Sequence, residues 1–203
     1  MAYTAGTGFR FWRSLSGAQH APQPIPFRIA NSTTLRVGDV VRVNTAGFLV
    51  ANGATSVPAG VLVGFANAQG INPFSLGYSD GGVTLTGDDT LATSSTNQTR
   101  ADYIDGHVII DVSGDILWLN DASADLALTN LFQFYDLDSN SRQIDAATNG
   151  DANGVMQLIV WDPKGTSQIP DNPTSADASM GAFRINENQF SAGIDTATAK
   201  NAA

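Results

Sequence analysis

Short valine-rich runs punctuated by Gly, Asn and Pro set the texture of the chain from Leu35 onward. VGDVVRVN, GFLVAN and AGVLVGFA (Val61, Leu62, Val63, Phe65) read as strands, because β-branched and aromatic residues bounded by turn formers suit a pleated, half-buried surface. Asn44-Thr45-Ala46-Gly47 predicts a hairpin turn with Gly47 at positive φ, and Pro58 and Gly60 close the next loop. Residues 66–100 are looser and rich in Gly, Asn, Ser and Thr, with one predicted strand, GGVTLTG, in which Val83 and Leu85 share a face. HVIIDV, GDILWLN, LFQFYDLD and GVMQLIVWD then resume the strand texture. Val108, Ile110 and Val112 alternate with Ile109 and Asp111, a period of two. The run from Val155 to Trp161 is apolar on both faces, which predicts a strand covered on both sides. In DASADLALTNL, cap-forming residues precede Leu126, Leu128 and Leu131, predicting one short helix. MGAFRINENQF predicts a last strand or a docked peptide.

The first 34 residues differ in kind. Pro22, Pro24 and Pro26 at every second position disfavour helix and predict an extended arm, and Phe9, Phe11 and Trp12 mark it as a segment laid on a partner or folded back over its own body. The expected organisation is therefore an arm (1–34), a compact β-barrel or β-sandwich body (35–163) and a C-terminal extension (164–203). The fold class is mainly β, with one short helix. Gly38-Asp39-Val40-Val41-Arg42-Val43-Asn44 echoes Gly114-Asp115-Ile116-Leu117-Trp118-Leu119-Asn120, and each is later followed by a Gly-Val strand, at Gly60 and Gly154. Two related β-units, 35–100 and 101–163, would account for that echo.

Composition narrows the function. Hydrophobic residues make up 42% of the 203, enough for a core, while charged residues are only 14%, against roughly 25% in average soluble proteins. A surface made of Ser, Thr, Asn, Gln and Gly suits packing against neighbouring protein. The net charge of −9 is unevenly spread. Arg10, Arg13, Arg28, Arg36 and Arg42 face only Asp39 in the first 42 residues, a balance of +4, and the remainder stands at −13. Scattered arginines on an acidic body make a poor nucleic-acid footprint. No run of about 18 apolar residues is present to span a membrane. The N-terminus interleaves aromatics with arginines instead of following the order of a signal peptide, so synthesis in the cytoplasm is expected.

Catalytic chemistry is hard to assemble from these residues. The chain has no cysteine, Glu187 is its only glutamate, and His20 and His107 are its only histidines. A thiolate centre is excluded, and a Ser-His-Asp triad would have to use His107 without a G-x-S-x-G elbow to meet it. Paired acids for a carboxylate hydrolase could come from Asp88 and Asp89, Asp102 and Asp105, or Asp111 and Asp115, but nearly all sit beside Gly or Asn in apparent turns. Asp136-Leu137-Asp138-Ser139-Asn140 opens like a calcium loop, yet Ser141 stands where Gly is required and Ala147 where a bidentate Glu is required. A looser calcium site on Asp136, Asp138 and Asp145 competes with a polar hairpin tip. Gly6-Thr7-Gly8 follows no strand and carries no phosphate logic. Trp12, Trp118 and Trp161 would form a sugar-stacking platform if exposed, but the last two lie inside apolar runs and are expected in the core. The expectation is a protein without catalytic residues, metal or cofactor, and not an enzyme.

The order Leu35-Arg36-Val37-Gly38-Asp39-Val40-Val41, then Ala46-Gly47-Phe48, then Ala59-Gly60-Val61-Leu62-Val63-Gly64 resembles the small β-domains of head decoration (cement) proteins of tailed bacteriophages. Gly154 to Pro163, ending in Trp-Asp-Pro, is similar to capsid-associated proteins of short-tailed phages. The resemblance spans residues 35–65 and 105–163. It implies a structural virion protein on the capsid exterior, with the major capsid protein and further copies of itself as partners, and with neither nucleic acid nor membrane involved. Phe9, Phe11 and Trp12 would then be the capsid-binding anchors and Arg10 and Arg13 the donors to capsid carboxylates. The alternative is a phage fibre or surface adhesin recognising a glycan.

Overall fold

A computed structural model describes residues 8–17, 22–30, 33–67, 85–86, 104–139, 142–148, 154–161 and 180–190. The chain is mainly β. Its strands are β1 (Arg10–Ser14), β2 (Ile25–Arg28), β3 (Thr34–Leu35), β4 (Val40–Val43), β5 (Leu49–Ala51), β6 (Gly60–Asn67), β7 (Leu85–Thr86), β8 (Ile104–Ile110), β9 (Ile116–Asp121), β10 (Phe134–Tyr135), β11 (Met156–Trp161) and β12 (Met180–Ile185). Two antiparallel five-stranded sheets carry the fold, in the orders β1-β9-β12-β11-β10 and β2-β8-β6-β4-β5, and β3 pairs with β7. The second sheet curls: a parallel bridge joins Ile29, just past β2, to Leu49 of β5, and Ala30 N–H donates to Leu49 O at 2.9 Å.

Period-two alternation divides the core. Val40, Val61, Val63 and Ile109 of the curled sheet meet Ile116, Trp118, Met156, Leu158 and Phe183 of the other in one cluster between the sheets. The alternate positions Val41, Leu62, Val108 and Leu49 line the opposite face of the curled sheet with Ile29 and Leu35. Between Leu62 and Gly64 the β6–β8 register shifts by a bulge, which flips the parity and places Phe65 with Leu62. The first sheet is also apolar on both sides: Leu117, Leu119, Met180 and Ala182 form a third buried cluster opposite Trp118. Sheets buried on both faces read as continuous apolar runs, which explains why β9 and β11 look uniformly hydrophobic in sequence.

The segment expected as an arm is extended but not free. Its residues supply an edge strand to each sheet, β1 against β9 and β2 against β8. Gly8, at φ 93°, lies so close to Gly38 that a Cβ would sit 2.8 Å from the Gly38 carbonyl oxygen, and Phe9 N–H donates to that oxygen at 2.8 Å. The C-terminal extension contributes β12, which pairs with both β9 and β11 inside the first sheet. Strand pairing therefore crosses every expected boundary, and β8 of the second expected unit pairs with β6 of the first. The predicted helix between Asp121 and Leu131 is a single 3-10 turn, Leu128–Asn130. Asp121 belongs to β9 and Ala122 bridges Ile144, so the sheet claims the residues that would have begun the helix.

Candidate functional site

Of the five residues expected to bind a partner, only Arg13 is exposed. Phe9 is fully buried in the core between the sheets. Phe11 sets its ring edge against Trp118, with centroids 6.3 Å apart and planes at 84°. The β1–β9 register shifts between Phe11 and Arg13, and Trp12 packs on the Leu117, Leu119, Met180, Ala182 cluster. Arg13 stacks over the Trp12 ring, 4.0 Å from its centroid, and Arg10 is half-buried. The aromatic anchors assigned to a partner are thus spent on the chain's own core. The same alternation that makes β1 a strand sends Phe9 and Phe11 inward.

The calcium candidate does not assemble. Among the described residues no three His, Cys, Asp or Glu side chains converge as metal ligands. Asp136, Asp138 and Asp145 instead stitch a hairpin: Asp145 N–H donates to Asp136 O at 3.1 Å, Asp138 N–H to Gln143 O at 2.8 Å, and Ala147 N–H to Asp145 Oδ1 at 3.0 Å.

The two aspartates of the Gly-Asp echo have opposite environments. Gly38 and Gly114 both adopt positive φ, at 91° and 67°, and each leads into a strand. Asp39 is buried beside Arg142, whose Nη1 donates to its carboxylate and to Val37 O, while Arg36 N–H donates to its Oδ2 at 2.7 Å. Burial pushes the Asp39 carboxyl up from 3.8 to about 6, against the opposing pull of Arg142. Asp115 accepts from the Ser14 and Ser16 hydroxyls and from Ser16 N–H at 2.8 Å, which hold its carboxyl below the ordinary value. Asp115 thereby latches the end of β1 to the start of β9.

Sequence reasoning missed the network around Arg142. The Arg142 carbonyl accepts from Asn120 Nδ2 at 2.8 Å, and Gln143 Nε2 donates to Asp121 Oδ2 at 2.8 Å. Ile144 N–H donates to Asn120 Oδ1 at 3.1 Å. Segment 142–144 therefore ties the Asp39 loop, which enters the curled sheet, to the end of β9 in the other. Nothing local in the sequence marks Arg142 as the partner of an acid 103 positions away.

The carboxylates proposed for hydrolysis fare similarly. Asp111 is pushed up by burial, yet its oxygens accept from Asp115 N–H and Ile116 N–H at 2.9 and 3.0 Å, the pattern of a turn aspartate. It borders a cavity of about 140 Å3 with Gly114, Arg184, Asn186 and Asn188. There Arg184 Nε donates to Gln157 Oε1, Asn186 Nδ2 to Gly154 O and Asn188 Nδ2 to Ala59 O. Asp88, Asp89, Asp102 and His20 lie outside the described residues. His107 is half-buried in β8, opposite Pro26 and Gly64. Trp118 is fully buried and Trp161 half-buried against the core, so Trp118 offers no sugar platform.

Six large apolar side chains stand exposed among the described residues. Leu15, Ile25, Val112, Leu128, Phe132 and Phe190 are exposed, with Leu128 and Phe132 the most open at 64% and 62%. Phe190 stacks on Phe27 of β2, with centroids 5.9 Å apart. Comparison of the chain with protein families, with curated proteins and with solved structures found no match.

Proposed function

We propose that the chain is a structural virion protein that binds the outer surface of a tailed-phage capsid and braces its lattice, acting by contact alone. The observation that carries this reading is the interlocking of the two sheets. Segments from both halves of the chain enter the first sheet, β1 and β12 flanking β9, and the Asp39–Arg142 network crosses to the curled sheet. Such a body transmits load through long antiparallel ladders and a buried clamp instead of through a hinge. Of the residues that carry the resemblance, 35–65 and 105–163, the first stretch builds three strands of the curled sheet. A rigid frame with low charge density and exposed apolar side chains suits repeated docking on a lattice, where modest contacts sum to firm attachment. The capsid protein is the proposed partner, with neighbouring copies meeting on the lattice.

The test uses empty heads of the encoding phage assembled without this chain. Mixed with the purified protein and sedimented, they should take it up saturably and disrupt at a higher temperature than bare heads. Heads that sediment without the protein would remove the proposal.

A further inference from the structure

We infer that Asn52-Gly53 is a site of spontaneous deamidation gated by the turn that follows it, converting a transient opening of that turn into a permanent one. An asparagine before glycine closes readily on the chain, because glycine has no Cβ to crowd the attacking nitrogen. The Gly53 nitrogen bonds to Asn52 Cγ, the Cγ–Nδ2 bond breaks, and ammonia leaves with the proton from Gly53 N. Water then opens the succinimide at either carbonyl and leaves aspartate or isoaspartate at position 52. Water is the only co-reactant.

The fold withholds this reaction. Asn52 directly follows β5 and is 4% exposed. Its N–H donates to Val40 O at 3.0 Å. Its Nδ2 donates to Gly53 O at 2.8 Å and to Ser56 O at 2.7 Å. The leaving group is thereby pinned across the turn, and bringing Cγ onto the Gly53 nitrogen takes that donor from both carbonyls. The gate itself is local. Gly53, Ala54 and Thr55 are exposed, and Ser56 N–H closes the turn on Gly53 O at 3.2 Å. Opening such a segment uncovers little core, so it happens far more often than global unfolding.

The product does not fit the site. A carboxylate at position 52 sets an acceptor against Gly53 O and Ser56 O, where Nδ2 now donates, in surroundings that exclude water. Isoaspartate also lengthens the main chain between the Val40 contact and the turn. The damage reaches beyond the turn. Ala54 O accepts from Leu137 N–H at 3.2 Å, just past β10 of the other sheet. Pro58 O accepts from Gln189 N–H at 2.8 Å, and Ala59 O from Asn188 Nδ2 at 2.6 Å. Segment 52–59 thus carries three ties from the curled sheet to residues of, or just past, β10 and β12. A deamidated chain keeps a record of the opening as a looser join between its sheets.

The experiment incubates the purified full chain in mildly alkaline buffer, folded and in urea. Asn149-Gly150 and Asn153-Gly154 repeat the dipeptide, so conversion is read by mass spectrometry on the peptide that contains residue 52. Conversion in urea, slowed about tenfold or more in the folded chain, is expected for a reaction that waits on local opening. Equal rates in the two conditions overturn the gate, and no conversion in urea overturns the site. Asn52→Asp and Asn52→Ser then separate the new charge from the lost amide, because the serine hydroxyl still donates to one of the two carbonyls. Asn52→Asp should have the lower denaturant midpoint and the faster proteolytic cleavage between residues 53 and 56, or fail to fold where Asn52→Ser folds. If the two variants are equally stable and equally resistant, the carboxylate does not hold the turn open and the inference falls.

Discussion

Arg142 and Asp39 form an ion pair whose two side chains are 9% and 6% exposed. Removing one member of such a pair strands the other charge in a poorly solvating interior. Arg142→Met should therefore lower stability by about 3–5 kcal/mol, and the double variant Asp39→Leu, Arg142→Met should recover much of that loss, as urea denaturation of the three proteins would show. If the single and double variants were equally unstable, the loss would have to come from Asn120 and the Ile144 turn instead of the stranded charge. Trp118 offers a contrasting case. It is fully buried and its Nε1 finds no acceptor among the described residues, so the indole N–H is a cost carried inside a large apolar contribution. Trp118→Phe should cost far less than Trp118→Ala, for which about 3–5 kcal/mol is expected, because the phenyl ring keeps most of the packing and drops the orphaned donor. Thermal melts of the two variants check this ordering.

Among elements, β1 is where structure and sequence part most usefully. Deleting residues 1–14 removes β1 and the Phe9 and Phe11 side chains from the core, uncovering Trp118. The truncated chain should be insoluble or largely unfolded by circular dichroism, not a folded body lacking an arm. Gly8→Val should mimic part of this, since its Cβ would collide with the Gly38 backbone. The strands β4, β6, β9 and β11 were legible because their alternation and punctuation are local. The Asn44–Gly47 hairpin was legible too: Gly47 has φ 85°, and Asn44 N–H meets Phe48 O at 2.8 Å. The Gly-Asp echo marked two real strand entries. What was not legible is pairing at long range. Phe9 and Phe11 look like exposed anchors only if β9 is left out of account, and nothing near MGAFRINENQF shows that it sits between β9 and β11. The exposed ring of Phe132 was hidden for a different reason, since positive φ at a phenylalanine leaves no trace in composition.

For the whole molecule, the buried carboxyls set the response to pH. Asp39, at about 6 in the folded chain against 3.8 ordinarily, binds its proton more tightly when folded, and Asp111 shifts the same way. That stabilising contribution is present in full below 3.8 and is lost as pH rises through 6. Asp115 is shifted down, so its contribution is present above 3.8 and fades as pH falls further. Stability should therefore peak near the ordinary carboxyl value, at about pH 4 or just below, and fall as pH rises through 6, with a slope that flattens in Asp39→Asn; denaturant midpoints from pH 3 to 7 would show it. The interleaving of the first sheet carries a last consequence, for the timing of biosynthesis. Strand β1 leaves the ribosome well ahead of its partner β9, and β9 in turn waits for β12 on its other side. Pairings so distant in sequence form slowly and late. The first sheet should remain protease-sensitive until residue 185 has emerged, so translation arrested at residue 163 should yield protection of the curled sheet, whose strands lie within residues 25–110, and none of β1 or β9. The apolar faces of the first sheet, Leu117 and Leu119 among them, therefore stay uncovered until β12 arrives, the condition under which nascent chains are prone to aggregate.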